Sequence, residues 1–565
     1  MKTIRQLFSS PYPTLLWTIT ILVLTLTPAA DMPATPAWKL LSFDTAAHAG
    51  VFGLLALLAY PWVQTWAIRP RILVLLGGVA LGALIEVLQY AMHLGRQAEW
   101  SDLLSDSIGV ILALLLIGVG RRRLAAAAGL LLVAALGATA QPAPPRAPDA
   151  PNLARARRTI EELAAPKLHG RGYVRGGEHL AAAYLRSRLR QLGLAPLAPD
   201  YTQPFVLDVN TFPGALRLAV NNVVGSNGGE ALQPGAEFIA APNSGPMRNG
   251  LAKPLLLDSL VFANPDTARA WQHRRLGVLV LTSRQQARLP ELSVPLRQHL
   301  DSAFAWVTLV PKLTASLASD HAQQPRLEVL TNSWHPQSVV HLTVDAQLLR
   351  NYQTQNLAAV VRGRAQPDSF LIISAHYDHL GMMGKDTYFP GANDNASGVA
   401  LLLELAAHYA RPENQPACSV AFLLFGAEEA GLVGSAYFVQ HPLLPLARIK
   451  FLVNLDLLGT GEEGATIVNG RVYETAYQQL TALNDAHRYL PKLTARGKAA
   501  NSDHFPFSEA GVPAFFMYTR GGSLAYHDVH DQPAALSLAG FAGAYGLVRD
   551  FLDQQGARTT KSPGR

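Results

Sequence analysis

The chain has 565 residues, of which 49% are hydrophobic and 15% charged, and its formal net charge at pH 7 is +7. This length allows about three or four domains of ordinary size. The single cysteine, Cys418, excludes an intramolecular disulfide framework and a thiolate metal site built within one chain. Although the net charge is positive, no basic patch is interleaved with aromatic residues, and we predict no nucleic-acid partner.

Four long apolar segments occupy most of residues 1–120. A helix that crosses a bilayer needs about 20 predominantly apolar residues, and each segment is long enough to be predicted as a membrane span. The distribution of Lys and Arg between the segments predicts a cytoplasmic amino terminus. The segments lie near residues 14–30, 46–68, 72–93 and 103–120.

A fifth apolar segment and a proline-rich linker make up residues 121–152. We interpret this segment either as a fifth span or as a signal-like segment that is cleaved after Ala140. In both cases the rest of the chain is predicted to lie on the extracytoplasmic side of the cell (inner/cytoplasmic) membrane. A retained chain would then be a multi-pass protein with the lipid bilayer as a partner.

Polar residues interrupt the apolar segments in three short motifs, Asp44-x-x-x-His48, Glu86-x-x-Gln89 and Arg96…Asp102…Gly109. Polar groups at membrane depth are costly unless they face a cavity or one another, so a functional site and simple helix–helix hydrogen bonding both explain them. With these motifs, residues 10–120 resemble the VanZ-like family, although Asp106 stands where that family more often has Asn. The resemblance implies an α-helical transmembrane bundle with an envelope-associated role.

The sequence of the second part of the chain predicts an α/β domain formed by residues 153–209 and 346–555. Short apolar runs at 371–375, 420–425 and 451–455 predict buried strands. Helix-like stretches lie between these runs, and the alternation predicts a doubly wound mixed sheet. Sheets of this kind bind ligands beyond the carboxyl ends of their strands.

Residues 210–345 differ from the sequence on either side. They contain short β-like runs, for example at 255–258 and 276–282, and no clustered metal-ligating side chains. We therefore predict a β-rich, noncatalytic inserted domain. Residues 556–565 are rich in Thr, Lys, Pro and Gly and are predicted to form a disordered tail.

Metal-ligating side chains follow the apolar runs of the α/β domain. Zinc accepts imidazole nitrogen and carboxylate oxygen, and two neighbouring ions need a ligand that binds both. Asp394 has small neighbours that allow close backbone approach, and we predict it as the shared ligand. Of the adjacent pair Glu428 and Glu429, one can bind metal while the other serves as a general base. The full predicted set is His376, Asp394, Glu428, Glu429, Asp456 and His527.

Six motifs resemble the zinc aminopeptidases of metallopeptidase family twenty-eight, a family with the zinc exopeptidase, phosphorylase/hydrolase-like fold. The similarity covers nearly all of residues 153–555, and the insert resembles a protease-associated domain in its position and β-rich pattern. The motifs are His376-Tyr-Asp378, Gly391-Ala-Asn-Asp394, Phe425-Gly-Ala-Glu-Glu-Ala-Gly-Leu-Val-Gly-Ser435, Asn454-Leu-Asp456, Ser502-Asp-His504 and Tyr526-His527.

The resemblance implies a role for each matched residue. One zinc ion would be bound by His376 and Asp456, and Asp394 would be shared with a second ion. Glu429 and His527 would complete the second position. Glu428 would act as general base toward a hydroxide that bridges the metals, while Asp378 would fix the orientation and tautomer of His376. Cobalt or manganese would suit the same ligands.

Three further residues are assigned more loosely. Asp503 and His504 are predicted either to touch the substrate or to hold a loop, and Tyr518 is predicted to support an oxyanion. His530 is an alternative to His527, and His379 is interpreted as a loop residue. The predicted function is a membrane-anchored dizinc aminopeptidase that removes amino-terminal residues from peptides.

Three other functions stay open at this point. The α/β domain could be a noncatalytic receptor-like ectodomain, although every ligand position is filled. It could be a single-zinc enzyme that resembles glutaminyl cyclase, although His376 and Asp456 favour two metals. The chain could also be an envelope-stress membrane protein with an accessory peptidase. The sequence contains no G-x-S-x-G, H-E-x-x-H or Walker motif. This excludes the common serine hydrolases, the single-zinc proteases of the H-E-x-x-H type and the nucleotide-dependent enzymes of the Walker type.

Overall fold

The computed structural model describes residues 10–26, 43–92, 100–117, 150–221, 230–335 and 339–557. The chain divides into two compact units, Met1–Arg146 and Ala147–Arg565. The predicted fifth apolar segment and nearly all of the proline-rich linker lie outside the described residues. The last described helix continues to Ala557, so the predicted disorder from residue 556 onward is wrong for its first two residues.

The described part of the first unit is helical, as predicted. Its helices pack around a core that includes Phe52, Ile85 and Val110. Gly109 permits close packing, because a Cβ atom there would lie 2.0 Å from the carbonyl oxygen of Ala49. The helices are α1 (Tyr12–Leu26), α2 (Phe43–Val63), α3 (Pro70–Met92) and α4 (Trp100–Ile117).

The four membrane spans predicted in this unit are not supported. Within the described residues, no helix combines the length and the apolar character needed to cross a bilayer.

The second unit is built on a mixed nine-stranded sheet flanked by helices, which confirms the predicted α/β class. In chain order the strands of this sheet and of the smaller sheets are β1 (Ala195–Pro196), β2 (Thr202–Thr211), β3 (Leu216–Asn221), β4 (Glu230–Ala231), β5 (Phe238–Ala240), β6 (Met247–Ala252), β7 (Pro254–Leu256), β8 (Val278–Thr282), β9 (Ala305–Val310), β10 (Arg326–Leu330), β11 (Val339–Val344), β12 (Gln347–Val361), β13 (Gln366–His376), β14 (Met382–Met383), β15 (Thr387–Tyr388), β16 (Cys418–Phe425), β17 (Ile449–Leu455), β18 (Gly464–Val468), β19 (Leu493–Ala495) and β20 (Ala514–Arg520). The strands of the nine-stranded sheet follow one another in the order β1-β12-β16-β13-β17-β20-β18-β19, and β2 pairs with β12.

The central strands β16, β13, β17 and β20 are parallel neighbours. Their side chains alternate between two cores, since Ile373 packs on one face of the sheet and Ile372 on the other. Burial on both faces explains why these strands are continuous apolar runs. The helices of this unit are α5 (Leu153–Leu163), α6 (Gly177–Gln191), α7 (Pro265–Trp271), α8 (Ser283–Arg288), α9 (Val294–Asp301), α10 (Gly398–Tyr409), α11 (Val433–Gln440), α12 (Glu474–His487), α13 (His504–Glu509) and α14 (Phe541–Ala557).

The chain leaves the main sheet after Thr211 and returns to it at Gln347. Between these residues it forms a five-stranded sheet, β5-β10-β9-β8-β7, and a four-stranded sheet, β4-β3-β11-β6. Residues of both sheets, including Val307 and Leu342, share one apolar core. Helices α7 to α9 also belong to this region, although the β-like runs of the sequence did not predict them.

Candidate metal centre

Loops that follow neighbouring parallel strands carry most of the predicted ligands. His376 is the last residue of β13, the pair Glu428 and Glu429 follows β16, and Asp456 comes directly after β17. The three strands pair in parallel, so their carboxyl ends meet at one edge of the sheet. Asp394 reaches this edge from the segment before α10.

The first group of side chains surrounds His376, which is 1% exposed. Its Nε2 atom lies 3.3 Å from Oδ1 of Asp394 and 3.4 Å from Oδ1 of Asp456. Asp456 is oriented by a buried chain of polar side chains, in which Ser502 Oγ donates to its Oδ2 at 2.9 Å and Asn454 Nδ2 donates to Ser502 Oγ at 2.8 Å. These two hydrogen bonds leave Oδ1 of Asp456 directed at the imidazole of His376.

The second group surrounds His527. Its Nε2 atom lies 3.1 Å from Oδ2 of Asp394 and 3.1 Å from Oε2 of Glu429. The other oxygen of Glu429, Oε1, is 2.7 Å from Nδ1 of His379. Asp394 therefore presents one carboxylate oxygen to each of the two imidazoles, His376 and His527.

The spacing of these atoms fits zinc. Two ligand atoms held about 2.0 Å from one tetrahedral zinc ion lie about 3.3 Å apart. The imidazole nitrogens and carboxylate oxygens here are 3.1–3.4 Å apart. Oδ1 of Asp456 is buried and has no hydrogen-bond partner among the described residues, as expected of an oxygen that is kept for a cation. The groups His376–Glu428–Asp456 and His379–Asp394–Glu429 each bring three ligand atoms within 4.8 Å of one another.

Asp378 lies beside His376 but contacts it differently from the prediction. The Nδ1 atom of His376 is 3.2 Å from the backbone carbonyl of Asp378 and 3.8 Å from its carboxylate. The carboxylate instead accepts from the backbone N–H of Glu428 at 3.1 Å and from the hydroxyl of Tyr173 at 3.4 Å. Asp378 thus joins the His376 loop to the Glu428 loop.

The charges of the cluster perturb its acid–base properties strongly. Burial raises the pKa of Glu428 well above its usual range; His376 opposes this shift, whereas the carboxylates of Asp503 and Glu429 add to it. Burial alone would lower the pKa of His527, but Glu429 and Asp394 raise it to about 11. Strongly shifted pKa values among neighbouring charged side chains are typical of functional sites.

The three residues predicted to contact the substrate or an oxyanion are Asp503, His504 and Tyr518. Asp503 and His504 are fully buried, and burial, opposed by His376, raises the pKa of Asp503 to about 7. The hydroxyl of Tyr518 accepts from Arg496 at 3.1 Å. Among the described residues, Tyr518 therefore contacts Arg496 and belongs to neither group of ligands.

Sequence reasoning assigned no role in this centre to three residues that contact its ligands or their loops. His379 was interpreted as a loop residue, yet it is fully buried against Glu429; its position three residues after His376, in the same loop, was the available signal. Tyr526 stacks on the ring of His527 with a centroid distance of 4.0 Å. Asp531 holds the loop of the shared ligand, since its carboxylate accepts from the backbone N–H groups of Asn393 and Asp394.

A buried arginine, Arg171, binds the backbone of the loops that carry His376 and Asp394. Arg171 is 0% exposed, and burial lowers its pKa to about 10 despite the favourable carboxylates nearby. Its guanidinium group donates only to backbone carbonyls, at 2.8–3.0 Å. The acceptors are Leu163, Tyr377, Pro390, Gly391 and Asp394. No sequence pattern marked this residue, because its acceptors come from separate segments.

Known proteins resemble this part of the chain in sequence. Residues 356–552 match the model of Peptidase family M28. Aminopeptidase YwaD of Bacillus subtilis is 31% identical over 175 residues, which are 30% of this chain and 36% of the relative. An aminopeptidase of Pseudomonas aeruginosa is 38% identical over 137 residues, or 24% of either chain. The chain therefore aligns with between a quarter and little more than a third of the length of these curated relatives.

Solved structures share the fold. BSAP, a zinc aminopeptidase from Bacillus subtilis, superposes with a TM-score of 0.54 at 19% identity, covering 71% of this chain and 94% of that one. A peptidase M28 precursor from Shewanella amazonensis gives a TM-score of 0.53 at 16% identity, covering 73% and 95%. Together with the family match, these findings confirm the predicted resemblance for residues 356–552. Residues 356–552 of the chain are therefore similar to Peptidase family M28, and the second unit has the fold of the solved structures named above.

Proposed function

We propose that this chain is a dizinc metallo-aminopeptidase that hydrolyses the amino-terminal peptide bond of peptides. The observation that carries the proposal is the arrangement of Asp394, whose two carboxylate oxygens face His376 at 3.3 Å and His527 at 3.1 Å. A carboxylate with one oxygen directed to each of two imidazoles is what a pair of neighbouring metal positions needs. A zinc aminopeptidase among the structures of the same fold supports the choice of metal.

We assign the ligands in two overlapping sets. His376 and Asp456 would hold one ion, Glu429 and His527 would hold the other, and Asp394 would bind both. When bound, the ions would polarise the scissile carbonyl and lower the pKa of a water molecule toward about 7. Zinc is the proposed metal, and the same nitrogen and oxygen ligands would also accept cobalt or manganese.

The chain itself would move the proton. Glu428 is partly exposed, so it can reach water and substrate, and a carboxylate at this position can act as a general base. It would accept the proton of the attacking water and return it to the leaving amine. The Asp378 carboxylate fixes the Glu428 backbone through the 3.1 Å hydrogen bond, which holds the base at the edge of the first ligand group.

Selectivity for the chain end would come from the negative charge of the site. Four carboxylates, Asp394, Glu428, Glu429 and Asp456, surround the metal positions. A positively charged or metal-binding α-amino group suits this environment, whereas a blocked amino group does not.

We expect the full chain, supplied with zinc, to hydrolyse aminoacyl-arylamides and not their N-acetylated counterparts. The measurement is the initial rate of arylamine release over a panel of matched free and acetylated substrates, with and without a chelator. Equal rates on the free and acetylated forms would contradict the exopeptidase proposal. Conversion of amino-terminal glutaminyl substrates alone would favour the glutaminyl-cyclase-like alternative, and full zinc content without turnover would favour a receptor.

The other sequence predictions stay proposals. We propose that residues 153–209 and 346–555 form the peptidase domain and that residues 210–345 form an inserted, protease-associated-like domain. The VanZ-like resemblance of residues 10–120 and the extracytoplasmic position of the peptidase domain stay predictions from the sequence.

A further inference from the structure

One loop of the inserted region touches the loop that carries His527. This loop, residues 311–317, follows strand β9. The carbonyl oxygen of Ala315 lies 2.9 Å from Nδ1 of His527. In return, the N–H of Ala315 donates to the carbonyl oxygen of His527 at 2.9 Å. A single residue of the inserted region thus binds both the imidazole and the backbone of His527.

Lys312, in the same loop, contacts the chain on both sides of His527. Its Nζ atom donates to the carbonyl oxygen of Leu524 at 3.1 Å and lies 3.3 Å from Oδ2 of Asp528. Asp528 is 7% exposed, and its Oδ1 atom accepts from the backbone N–H of His530 at 2.9 Å. Lys312 therefore connects one carbonyl and one carboxylate group of the His527 loop to the inserted region.

These contacts matter because His527 needs external support. Its φ of +53° lies in the left-handed region, which a residue with a side chain adopts at a cost unless its surroundings hold it there. A carbonyl acceptor at Nδ1 fixes the proton on that nitrogen and leaves Nε2 free as a donor of electrons to a metal. The Nε2 atom is the one that faces Asp394 and Glu429.

The ligands of the other position are supported differently. Asp456 is oriented by Ser502 and Asn454, and His376 by the backbone carbonyl of Asp378. All of these residues belong to the loops and strands of the main sheet. A change in the inserted region should consequently affect the two metal positions unequally.

We propose that the inserted region positions His527 through Lys312 and Ala315 and thereby sets the affinity of one metal position, the one formed by Asp394, Glu429 and His527. The proposal rests on the proposed dizinc function, because it takes His527 as a metal ligand. Lys312 and Ala315 are positioning residues, since they act on the ion only through His527. The inserted region is then a structural part of the metal centre.

The test is the zinc affinity of the full-length chain carrying Lys312→Met, measured by equilibrium dialysis in zinc buffers without any activity assay. We expect one of two bound ions to be held about 2- to 5-fold more weakly, because Lys312 is half-exposed and acts on His527 only through Leu524 and Asp528. The other ion should keep its wild-type affinity. Lys312→Arg should restore most of the loss, because it keeps the charge beside Asp528.

Two further variants make the result specific. Lys253→Met changes the same residue type between β6 and β7 of the inserted region and should leave both affinities unchanged. Asp528→Asn removes the charge that pairs with Lys312 but keeps an oxygen for the backbone N–H groups, and it should weaken the same ion. It replaces Lys312→Met in the test if that variant does not fold.

The outcomes separate the two proposals. Wild-type affinity for both ions in Lys312→Met and Asp528→Asn would overturn the positioning role while leaving the dizinc function intact. An equal loss of both ions would overturn it as well, since it would indicate a general structural effect. A wild-type chain that binds fewer than two ions would overturn the dizinc function, and the positioning role with it.

Discussion

Replacing Glu428 with glutamine is expected to lower kcat for aminoacyl-arylamide hydrolysis by about 10²- to 10⁴-fold, the usual contribution of a general base. The amide has nearly the same shape as the carboxylate, but it cannot accept a proton from water. Glu428 is not needed to hold either ion in the proposed ligand sets, so the zinc content should stay at the wild-type value. The measurement is steady-state hydrolysis together with metal analysis of the same sample.

A matched control for this variant is Glu178→Gln. Glu178 is buried, and burial raises its pKa to about 8. It belongs to neither proposed ligand set, so its replacement by an amide leaves the ligands and the base in place. We expect Glu178→Gln to retain activity. If Glu428→Gln also kept wild-type kcat, or if it lost its zinc, the role of Glu428 as the base would be wrong.

The second large effect is expected in Arg171→Met. The substitution removes the donor from five buried backbone carbonyls, and hydrogen bonds to a charged group contribute about 1.5–3 kcal/mol each without being additive. We expect the free energy of unfolding of the metal-free chain to fall by about 3–5 kcal/mol, because buried carbonyls that lose their donor cost about 1–3 kcal/mol each. Urea unfolding followed by circular dichroism measures this change.

Arg175→Met is the natural comparison for that experiment. Arg175 belongs to the same segment and also has a positive φ, +55° against +51° for Arg171, so both substitutions meet similar backbone strain. Arg175 is exposed and makes one long hydrogen bond, to Lys385, at 3.4 Å. We expect it to cost less than about 0.5 kcal/mol, as most surface substitutions do. Similar losses in the two variants would show that the carbonyl acceptors of Arg171 contribute little.

Much of the centre was predictable because parallel strands bring their following loops together. The runs before His376, Glu428 and Asp456 are continuous and apolar, and they form the neighbouring strands β13, β16 and β17. A polar residue directly after such a run lies at the ligand-binding edge of the sheet. Sequence reasoning could therefore gather these residues without knowing any distance between them.

What the sequence did not reveal depends on contacts between distant segments. His379 binds Glu429 across 50 positions of the chain, and Ala315 binds His527 across 212 positions. Neither contact follows a local periodicity. Asp378 illustrates a finer limit, because the motif identified the correct residue but not that its backbone carbonyl lies closer than its carboxylate to His376.

The helical character of the apolar segments in residues 1–120 was also predictable, since the described residues there form helices α1 to α4. The described helices do not support the predicted membrane spans.

A zinc titration of the metal-free full chain tests the dizinc aminopeptidase most directly. Hydrolysis of an aminoacyl-arylamide is followed at each addition, at a protein concentration far above the dissociation constants. The shared position of Asp394 between His376 and His527 predicts that activity reaches its maximum only with the second equivalent of zinc. Full activity after one equivalent, with no further binding, would contradict the two-metal centre.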